Sequence, residues 1–199
     1  MSGLKFDKRE LGNLEYALDR EVLATDRRGG YMSTTIVGCN TRKYHGLMVA
    51  PIDESDRTYV LLSSLDETIV QHDQSFNLAL HRYNGTYEPR GHKYITDFEY
   101  TPTPTLTYRV GGVILTKEKI FISHENRILI RYTLVEAHSP TTLQFRPFLA
   151  FRESNELCMA NSSLNTACDE VQNGVASCLY NGYPTLYMQF SHKPKWVND

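Results

Sequence analysis

Apolar and polar residues alternate with a period of two along much of this chain, the pattern of strands with one buried face. The alternation is clearest in RILIRYTLVEA (127–137), whose apolar face carries Ile128, Ile130, Tyr132 and Leu134. TLQFRPFLAF (142–151) and TLYMQF (185–190) repeat the pattern with Leu143, Phe145, Leu149 and Phe151, and with Leu186, Met188 and Phe190. One apolar face per strand indicates antiparallel sheets.

Further short segments are rich in β-branched and aromatic residues and are separated by turn residues. We predict strands over 60–70, 76–83, 94–100 and 105–110. Asn84-Gly85 and Gly111-Gly112 are dipeptides that accept positive φ and therefore favour tight hairpin turns. We expect residues 105–122 to form one such hairpin.

The number of strands predicts the architecture. About a dozen short strands exceed what one open sheet usually carries, so we predict an all-β fold, a two-sheet antiparallel β-sandwich. We expect a single domain over 1–199, with residues 1–25 as a lead-in segment. That segment is predicted to contain a short helix carrying Leu14, Tyr16, Leu18 and Val22.

Composition and charge exclude several classes of partner. Of 199 residues, 41% are hydrophobic and 22% charged, which is typical of a globular protein with a core. The net charge of -2 and the scattered basic residues argue against nucleic acid as a partner. The sequence contains neither a signal-peptide pattern nor the roughly 18 consecutive apolar residues of a membrane span. We therefore predict a cytoplasmic protein without a membrane partner.

Candidate catalytic and metal-binding chemistry is sparse. The four cysteines form no C-x-x-C pair and are predicted to be reduced, and the seven histidines are dispersed, so we predict no metal and no cofactor. Glycosidase carboxylates need a defined separation across the scissile bond, which no acidic pair in the sequence establishes. The pairs considered are Asp53-Glu54, Asp66-Glu67 and Asp97 with Glu99.

One stretch, GGYMSTTIVGCNTRKYHGLMVAP (29–51), concentrates hydrogen-bonding groups at a single bend. We predict a strand over 31–37, a turn over 38–41 and a partner strand over 44–50. Arg42, Lys43, Tyr44 and His45 then lie together at a strand entrance, near the amide of Asn40. Such groups can hold a loop against a neighbouring domain, or they can bind vicinal hydroxyls of a sugar.

The same stretch resembles the signature near the start of bacterial and archaeal glycogen debranching enzymes. Four further segments occur in the order of that family, and the similarity runs from about Leu14 to Trp196. These segments are LLSSLDETI (61–69), YRVGGVILTKEKIFI (108–122), ENRILIRYTL (125–134) and LQFRPFLAFRESNEL (143–157).

The resemblance implies an N-terminal β-sandwich of the supersandwich type, in front of a catalytic α/α barrel. The family's parent activity is amylo-α-1,6-glucosidase, the hydrolysis of α-1,6 branch points in glycogen-like glucans. The barrel with the family's catalytic carboxylates lies outside this chain, so no catalytic residue can be assigned. We expect the chain to be the front of a longer enzyme.

The family signature also implies candidate site residues. It maps onto Gly29, Gly30, Tyr31, Asn40, Thr41, Arg42, Tyr44, His45 and Gly46. The predicted partners are an α-glucan (glycogen or maltodextrin) and the catalytic barrel of the same chain. The candidate contacts to either partner are Arg28, Tyr31, Asn40, Arg42, Tyr44 and His45. Two stretches depart from the family pattern, namely Arg27-Arg28 and FRESNEL (151–157).

Three functions are open on the sequence. The first is a non-catalytic front domain that packs on the barrel and helps to position glucan. The second is a stand-alone carbohydrate-binding module, which an exposed row of coplanar aromatic rings would favour. The third is a sugar mutarotase or epimerase, which needs a histidine and a glutamate within reach of one sugar carbon.

Overall fold

The computed structural model describes residues 3–52, 57–159 and 162–197. Within these ranges the chain is almost entirely β, with two short helices and one 3-10 turn. The strands are β1 (Leu4–Asp7), β2 (Glu21–Thr25), β3 (Tyr31–Thr35), β4 (Gly46–Pro51), β5 (Thr58–Gln71), β6 (Gln74–Asn77), β7 (Leu80–Tyr83), β8 (Thr86–Arg90), β9 (Ile95–Tyr100), β10 (Pro104–Val110), β11 (Val113–Phe121), β12 (Ile128–Ala137), β13 (Thr142–Glu153), β14 (Cys168–Val171), β15 (Gly174–Ser177) and β16 (Leu186–Gln189). The helices are α1 (Lys8–Gly12) and α2 (Leu14–Leu18), and the 3-10 turn is Gly91–Tyr94.

Two large antiparallel sheets form the body of the fold. One has the strand order β1-β9-β10-β11-β12, and the other has the order β13-β5-β4-β3-β2 with β6 also paired to β5. Both sheets contribute to one apolar core, with Met32 and Leu62 from the second sheet packed with Phe98, Leu106 and Leu115 from the first. The predicted all-β, two-sheet antiparallel sandwich is confirmed.

The lead-in segment is more structured than the sequence pattern indicates. Its first residues form β1, which pairs with β9, so this segment is part of a sheet. Asp7 caps α1 in a capping box with Glu10, and Asn13 ends α1 while its side chain caps α2. These caps break the predicted helix into two short ones. The prediction that Val22 is helical is wrong, because Val22 lies in β2, opposite Thr34 of β3.

The two predicted hairpin turns are present. Asn84 and Gly85 have φ of 48° and 83° between β7 and β8, and Gly111 and Gly112 have φ of 57° and 77° between β10 and β11. Positive φ at both central residues gives the turn whose twist matches that of the flanking strands. The predicted hairpin over 105–122 is therefore confirmed as β10 and β11.

The predicted single strand over 76–83 is wrong, because the chain changes sheets in the middle of it. Asn77 Oδ1 accepts the Ala79 N–H at 2.8 Å, and the Leu78 N–H donates to the Glu67 carbonyl at 2.8 Å. This side-chain turn ends β6 and sends the chain into β7, which pairs with β8 in a separate two-stranded sheet.

One predicted core residue is exposed. Ile128, Ile130 and Tyr132 pack against the core as expected, but the side chain of Leu134 is 51% exposed. The pairing of β11 with β12 shifts register between Ile114 and Leu115, which is a β-bulge. The extra residue of the bulge is Val135, which follows Leu134, so Leu134 keeps the phase of Tyr132. Leu134 is exposed because it lies near the end of β12, which is the edge strand of its sheet.

A small third sheet has the strand order β14-β15-β16. Phe190, which follows β16, contacts Phe145 of β13 with ring centroids 5.2 Å apart, and Phe145 contacts Tyr132 of β12 at 5.1 Å. These rings connect the third sheet to both large ones. Within the described ranges, no helix is long and apolar enough to cross a bilayer.

Gly91, at the start of the 3-10 turn, lies directly against the backbone of residues 78–79, and this close contact leads to a stability prediction. A Cβ on Gly91 would lie 2.0 Å from the Leu78 carbonyl carbon and 2.6 Å from the Ala79 carbonyl oxygen, whereas a Cβ on Gly12 would meet nothing within 4 Å. We expect Gly91→Ala to lower the free energy of unfolding by about 1 to 3 kcal/mol, because backbone must move to admit the methyl group. Gly12→Ala, the matched control, should leave stability unchanged or raise it. Urea denaturation of both variants checks this, and equal midpoints would contradict it.

Candidate functional site

The signature stretch folds into β3, a long loop over 36–45, and β4. The predicted strand boundaries of 31–37 and 44–50 are therefore too wide, since β3 ends at Thr35 and β4 begins at Gly46. The loop starts with a tight turn in which Thr35 Oγ1 accepts the Cys39 N–H at 3.0 Å and donates to its carbonyl at 2.9 Å. Cys39 is buried and its thiol is free.

Asn40 fastens this loop to two strands of the sheet. Its Oδ1 accepts a hydrogen bond from Thr34 Oγ1 at 2.8 Å, and its Nδ2 donates to the carbonyl of Ser63 at 2.9 Å. Thr34 belongs to β3 and Ser63 to β5. The amide is therefore used for folding contacts on both of its polar atoms.

His45 caps the loop from inside the protein. Its side chain is fully buried, and Nδ1 accepts the backbone N–H groups of Thr41 at 3.0 Å and Arg42 at 3.4 Å. Acceptance at Nδ1 assigns the proton of the neutral ring to Nε2. Burial lowers the pKa of His45, an effect larger than the opposing one of nearby Glu21, so the ring is neutral at physiological pH.

The neutral ring of His45 points its Nε2 at Glu21. The distance from Nε2 to Glu21 Oε2 is 3.4 Å, close enough for an electrostatic contact. The geometry is not that of a hydrogen bond, and Nε2 is one of the buried polar atoms without a hydrogen-bond partner in the described part of the chain. His45 and Glu21 therefore form a contact pair rather than an ion pair.

Glu21 accepts hydrogen bonds from the two outward-facing side chains of the loop, Arg42 and Tyr44. Its Oε1 accepts from Arg42 Nε at 3.1 Å and its Oε2 accepts from the Tyr44 hydroxyl at 3.0 Å. Partial burial by itself raises the pKa of Glu21, but the hydrogen bonds from Arg42 and Tyr44, together with the contact to His45, outweigh it and the pKa lies below its usual range. We call Glu21, Arg42 and Tyr44 the Glu21 cluster.

Two further side chains hold the loop by its backbone. The Tyr31 hydroxyl donates to the carbonyl of Tyr44 at 3.1 Å, and Arg152 Nη2 donates to the carbonyl of Lys43 at 2.7 Å. Arg152 also binds the carbonyl of Glu156 through Nη1 at 2.7 Å. The FRESNEL segment, which departs from the family pattern, thus contributes a clamp on the signature loop.

The structure divides the predicted site residues into two groups. Tyr31, Asn40 and His45 hold the loop in place, whereas Arg42 and Tyr44 of the same loop present exposed side chains, with 53% of the Arg42 side chain and 40% of Tyr44 accessible. Within this loop, contact with a neighbouring domain or a sugar stays a prediction, and Arg42 and Tyr44 are the loop residues whose side chains are placed to make it.

Arg28 lies apart from this group, on the turn between β2 and β3. Asp26 Oδ1 accepts the N–H groups of Arg28 at 2.6 Å and Gly30 at 2.9 Å, and the Arg28 guanidinium reaches the His124 carbonyl at 3.5 Å. Because Thr25 pairs with Tyr31 and Glu21 pairs with Thr35, this turn is at the opposite end of β2 from the Glu21 cluster. The structure does not bring Arg28 together with Arg42 and Tyr44.

The acidic pairs named above have different surroundings in the described part of the chain. Asp66 accepts hydrogen bonds from His81 Nε2 at 2.9 and 2.8 Å, whereas the adjacent Glu67 faces Lys117 on the other large sheet. Asp97 and Glu99 both contact the exposed Lys5. The pair Asp53-Glu54 lies outside the described residues.

Sequence reasoning missed a buried ionic group between the sheets. Glu67 Oε1 lies 2.5 Å from Lys117 Nζ and accepts from the Tyr132 hydroxyl at 2.5 Å, and all three side chains face the sandwich interior. We call these residues the Glu67 cluster. Lys119 is also buried, at 7% exposure. A signal was available, since both lysines alternate in phase with buried Leu115 and Phe121 along β11.

The two roles within the signature loop can be separated by stability. His45→Ala removes a buried ring and leaves two backbone N–H groups without an acceptor, so we expect a loss of about 2 to 4 kcal/mol in the free energy of unfolding. Arg42→Ala, the control, removes an exposed side chain three residues away and should leave the unfolding midpoint unchanged. Urea denaturation followed by fluorescence measures both. Equal losses in the two variants would contradict the assignment.

Lys119 gives a pH dependence of known sign. Burial, aided by the nearby Lys117 ammonium, lowers the pKa of Lys119 from 10.5 to about 7. Above pH 7 the folded protein has released this proton while the unfolded chain still holds it, so the free energy of unfolding rises with pH from 7 towards 10.5. Below pH 7 both states hold the proton, and the destabilisation that results from burying the charged lysine is then complete.

We therefore expect unfolding free energy to increase between pH 7 and 9.5, a range below the titration of Tyr108 and Tyr132, whose pKa values burial raises well above 10. Lys119→Met should flatten that increase, because methionine carries no proton at this position. Lys5→Met, at an exposed lysine, is the control. Identical pH profiles for the wild type and Lys119→Met would contradict the prediction.

Comparison with known proteins identifies the family. The family model described as glycogen debranching enzyme N terminal matches residues 20–199. No curated protein and no solved structure matches the chain. The matched range begins just before Glu21 and contains the whole signature loop, the Glu21 cluster and the Glu67 cluster. This chain therefore belongs to the family of glycogen debranching enzyme N-terminal domains.

Proposed function

We propose that this domain packs beside the catalytic α/α barrel of a longer debranching enzyme and positions an α-glucan, glycogen or maltodextrin, for hydrolysis of α-1,6 branch points by that barrel. The observation that carries the proposal is the Glu21 cluster, an exposed arginine and tyrosine held in place by one carboxylate. In this proposal the domain contributes binding and orientation, and the barrel contributes the catalytic acids.

The chemistry of the cluster fits a neutral polyhydroxyl ligand. Glu21 binds Arg42 through Nε, and 53% of the Arg42 side chain is exposed, so its guanidinium can also donate to sugar hydroxyls. The Tyr44 ring packs edge-on against His45, with centroids 5.1 Å apart and planes at 88°, which leaves ring surface for contact with a pyranose. One carboxylate and one guanidinium cancel in charge, as a neutral substrate requires.

Two observations favour this role over a stand-alone binding module. Large exposed aromatic side chains occur on different elements, namely Tyr44, Tyr83, Tyr187 and Trp196. They lie on the signature loop, β7, β16 and the C-terminal tail, and the ring pairs found in the described residues are tilted or edge-on rather than coplanar. A single aromatic beside charged donors fits the rim of a larger site better than a stacking platform.

The histidine and carboxylate pairs do not favour a mutarotase or epimerase. His45 lies near Glu21, but its ring is fully buried and its Nδ1 is occupied by backbone N–H groups. His81 uses Nε2 on both oxygens of Asp66. In each pair the histidine contacts the acid itself, whereas epimerisation needs the two groups on opposite sides of one sugar carbon.

The proposal is tested in the full-length enzyme that carries this domain. Arg42→Ala and Tyr44→Ala should each raise KM for a branched limit dextrin roughly tenfold, the effect of losing one good binding contact, while kcat changes little. Arg28→Ala, an exposed arginine at the opposite end of β2, is the matched control and should leave KM unchanged.

Two results would sink the proposal. One is an unchanged KM in both cluster variants with folding intact by circular dichroism. The other is hydrolysis of the dextrin by the 199-residue chain alone, which would place catalytic groups within this domain.

A further inference from the structure

A small cavity that is partly open to solvent lies between the two large sheets. Its volume is about 40 Å³, and its lining includes Lys117, Lys119, Tyr108 and Glu67. A second void of about 10 Å³ is also lined by both lysines. A void of this size holds one to a few water-sized species, since a single water needs roughly 10 to 15 Å³ by this measure.

The charges around the cavity are unequal. Lys117 is neutralised by Glu67, whose carboxylate also accepts from Tyr132. No hydrogen bond or ion pair in the described part of the chain engages Lys119 Nζ, although only 7% of this residue is exposed. The cluster of two lysines and one glutamate therefore carries one excess positive charge when Lys119 is protonated, with Asp66, the other acid lining the cavity, already bound to His81.

A second unused donor faces the same space. Tyr108 lines the cavity and is 3% exposed, and within the described residues its hydroxyl makes no hydrogen bond. An ammonium and a phenol hydroxyl without protein acceptors lie at the wall of one cavity. Neither atom is among the fully buried polar atoms that lack a partner, so both are reached from the cavity and can donate to a small anion that enters it.

We propose that this cavity is a binding site for a small monovalent anion of the size of chloride, held by Lys119 and Tyr108 with Lys117 nearby. A pyranose ring is far larger than the cavity, so the site is separate from any glucan contact of the Glu21 cluster. A cation is disfavoured by the two lysines, and a water molecule alone leaves the Lys119 charge uncompensated. The inference does not depend on the proposed glucan role.

Binding of such an anion links folding to salt identity. A ligand that binds only the folded state stabilises it in proportion to the logarithm of its concentration. It also favours the protonated form of Lys119, so the anion offsets the burial that lowers the pKa of this lysine to about 7. Screening by salt in general affects exposed charges, whereas this effect requires the particular anion to enter the cavity.

The test is the melting temperature of the chain in sodium chloride, sodium bromide and sodium gluconate at equal ionic strength and pH 7. Chloride and bromide fit the cavity and gluconate does not. We expect the two halides to raise the melting temperature with the logarithm of their concentration, by about 3 to 6 °C at a tenfold excess over Kd. Lys119→Met should abolish the difference between salts, and Lys5→Met, at an exposed lysine, should retain it.

Bromide soaked into crystals gives a second readout, by anomalous scattering, that does not depend on how Lys119→Met folds. A bromide peak beside Lys119 supports the site. The proposal is overturned if all three salts give the same melting temperature, or if Lys119→Met retains the full halide response. It is also overturned if bromide is found on the surface and not in the cavity, the result expected of an adventitious ion only.

Discussion

The buried carboxylate of Glu67 is the interaction on which the closure of the sandwich depends. Glu67 lies on β5 in the six-stranded sheet, and its partners Lys117 and Tyr132 lie on β11 and β12 in the other. An ion removed from water without a partner costs several kcal/mol, so the two sheets can close only where these three groups meet. Apolar contacts tolerate sliding better than this geometry does, and the cluster therefore fixes how the sheets face each other.

β5, the strand that carries Glu67, also holds the signature loop at the surface. Ser63, four residues before Glu67 on β5, supplies the carbonyl that holds Asn40 of the signature loop. β13 pairs along the other edge of β5, and its Arg152 holds the backbone of Lys43. The loop is thus fixed to the core strand from two directions. A loop that is already ordered loses less conformational entropy when it binds a ligand.

Local sequence predicts the parts of this fold that local physics decides. Alternation predicts the strands, and glycine or asparagine at two positions predicts the hairpins, because both signals involve neighbours in the chain. Glu21 could not be found in this way. It reaches Arg42 and Tyr44 only because β2 pairs with β3 and the loop folds back over that edge.

Other departures have equally specific causes. Leu134 keeps the inward phase of Tyr132 but is exposed near the end of the edge strand β12, and the alternation within one strand does not tell which strand lies at an edge. β1 is four residues long and mostly charged or exposed, and its strand character comes from pairing with β9. Lys117 and Lys119 differ from these cases, because the alternation along β11 places both lysines on its buried face. Their burial was therefore predictable from the sequence, although lysines usually face water.

The Glu67 cluster and the Glu21 cluster differ in burial, and this difference decides whether their side chains are available to a ligand. Glu67 contacts partners that exclude water, so its interactions are made during folding and are not available to a ligand. The Glu21 side chain is 29% exposed, and an exposed ion pair of this kind adds little to stability. Its effect is instead geometric, since it holds the Arg42 guanidinium by Nε and the Tyr44 ring by its hydroxyl while leaving their outer surfaces free. That arrangement is what the proposed contact with a neutral glucan requires, since it offers donors without a net charge.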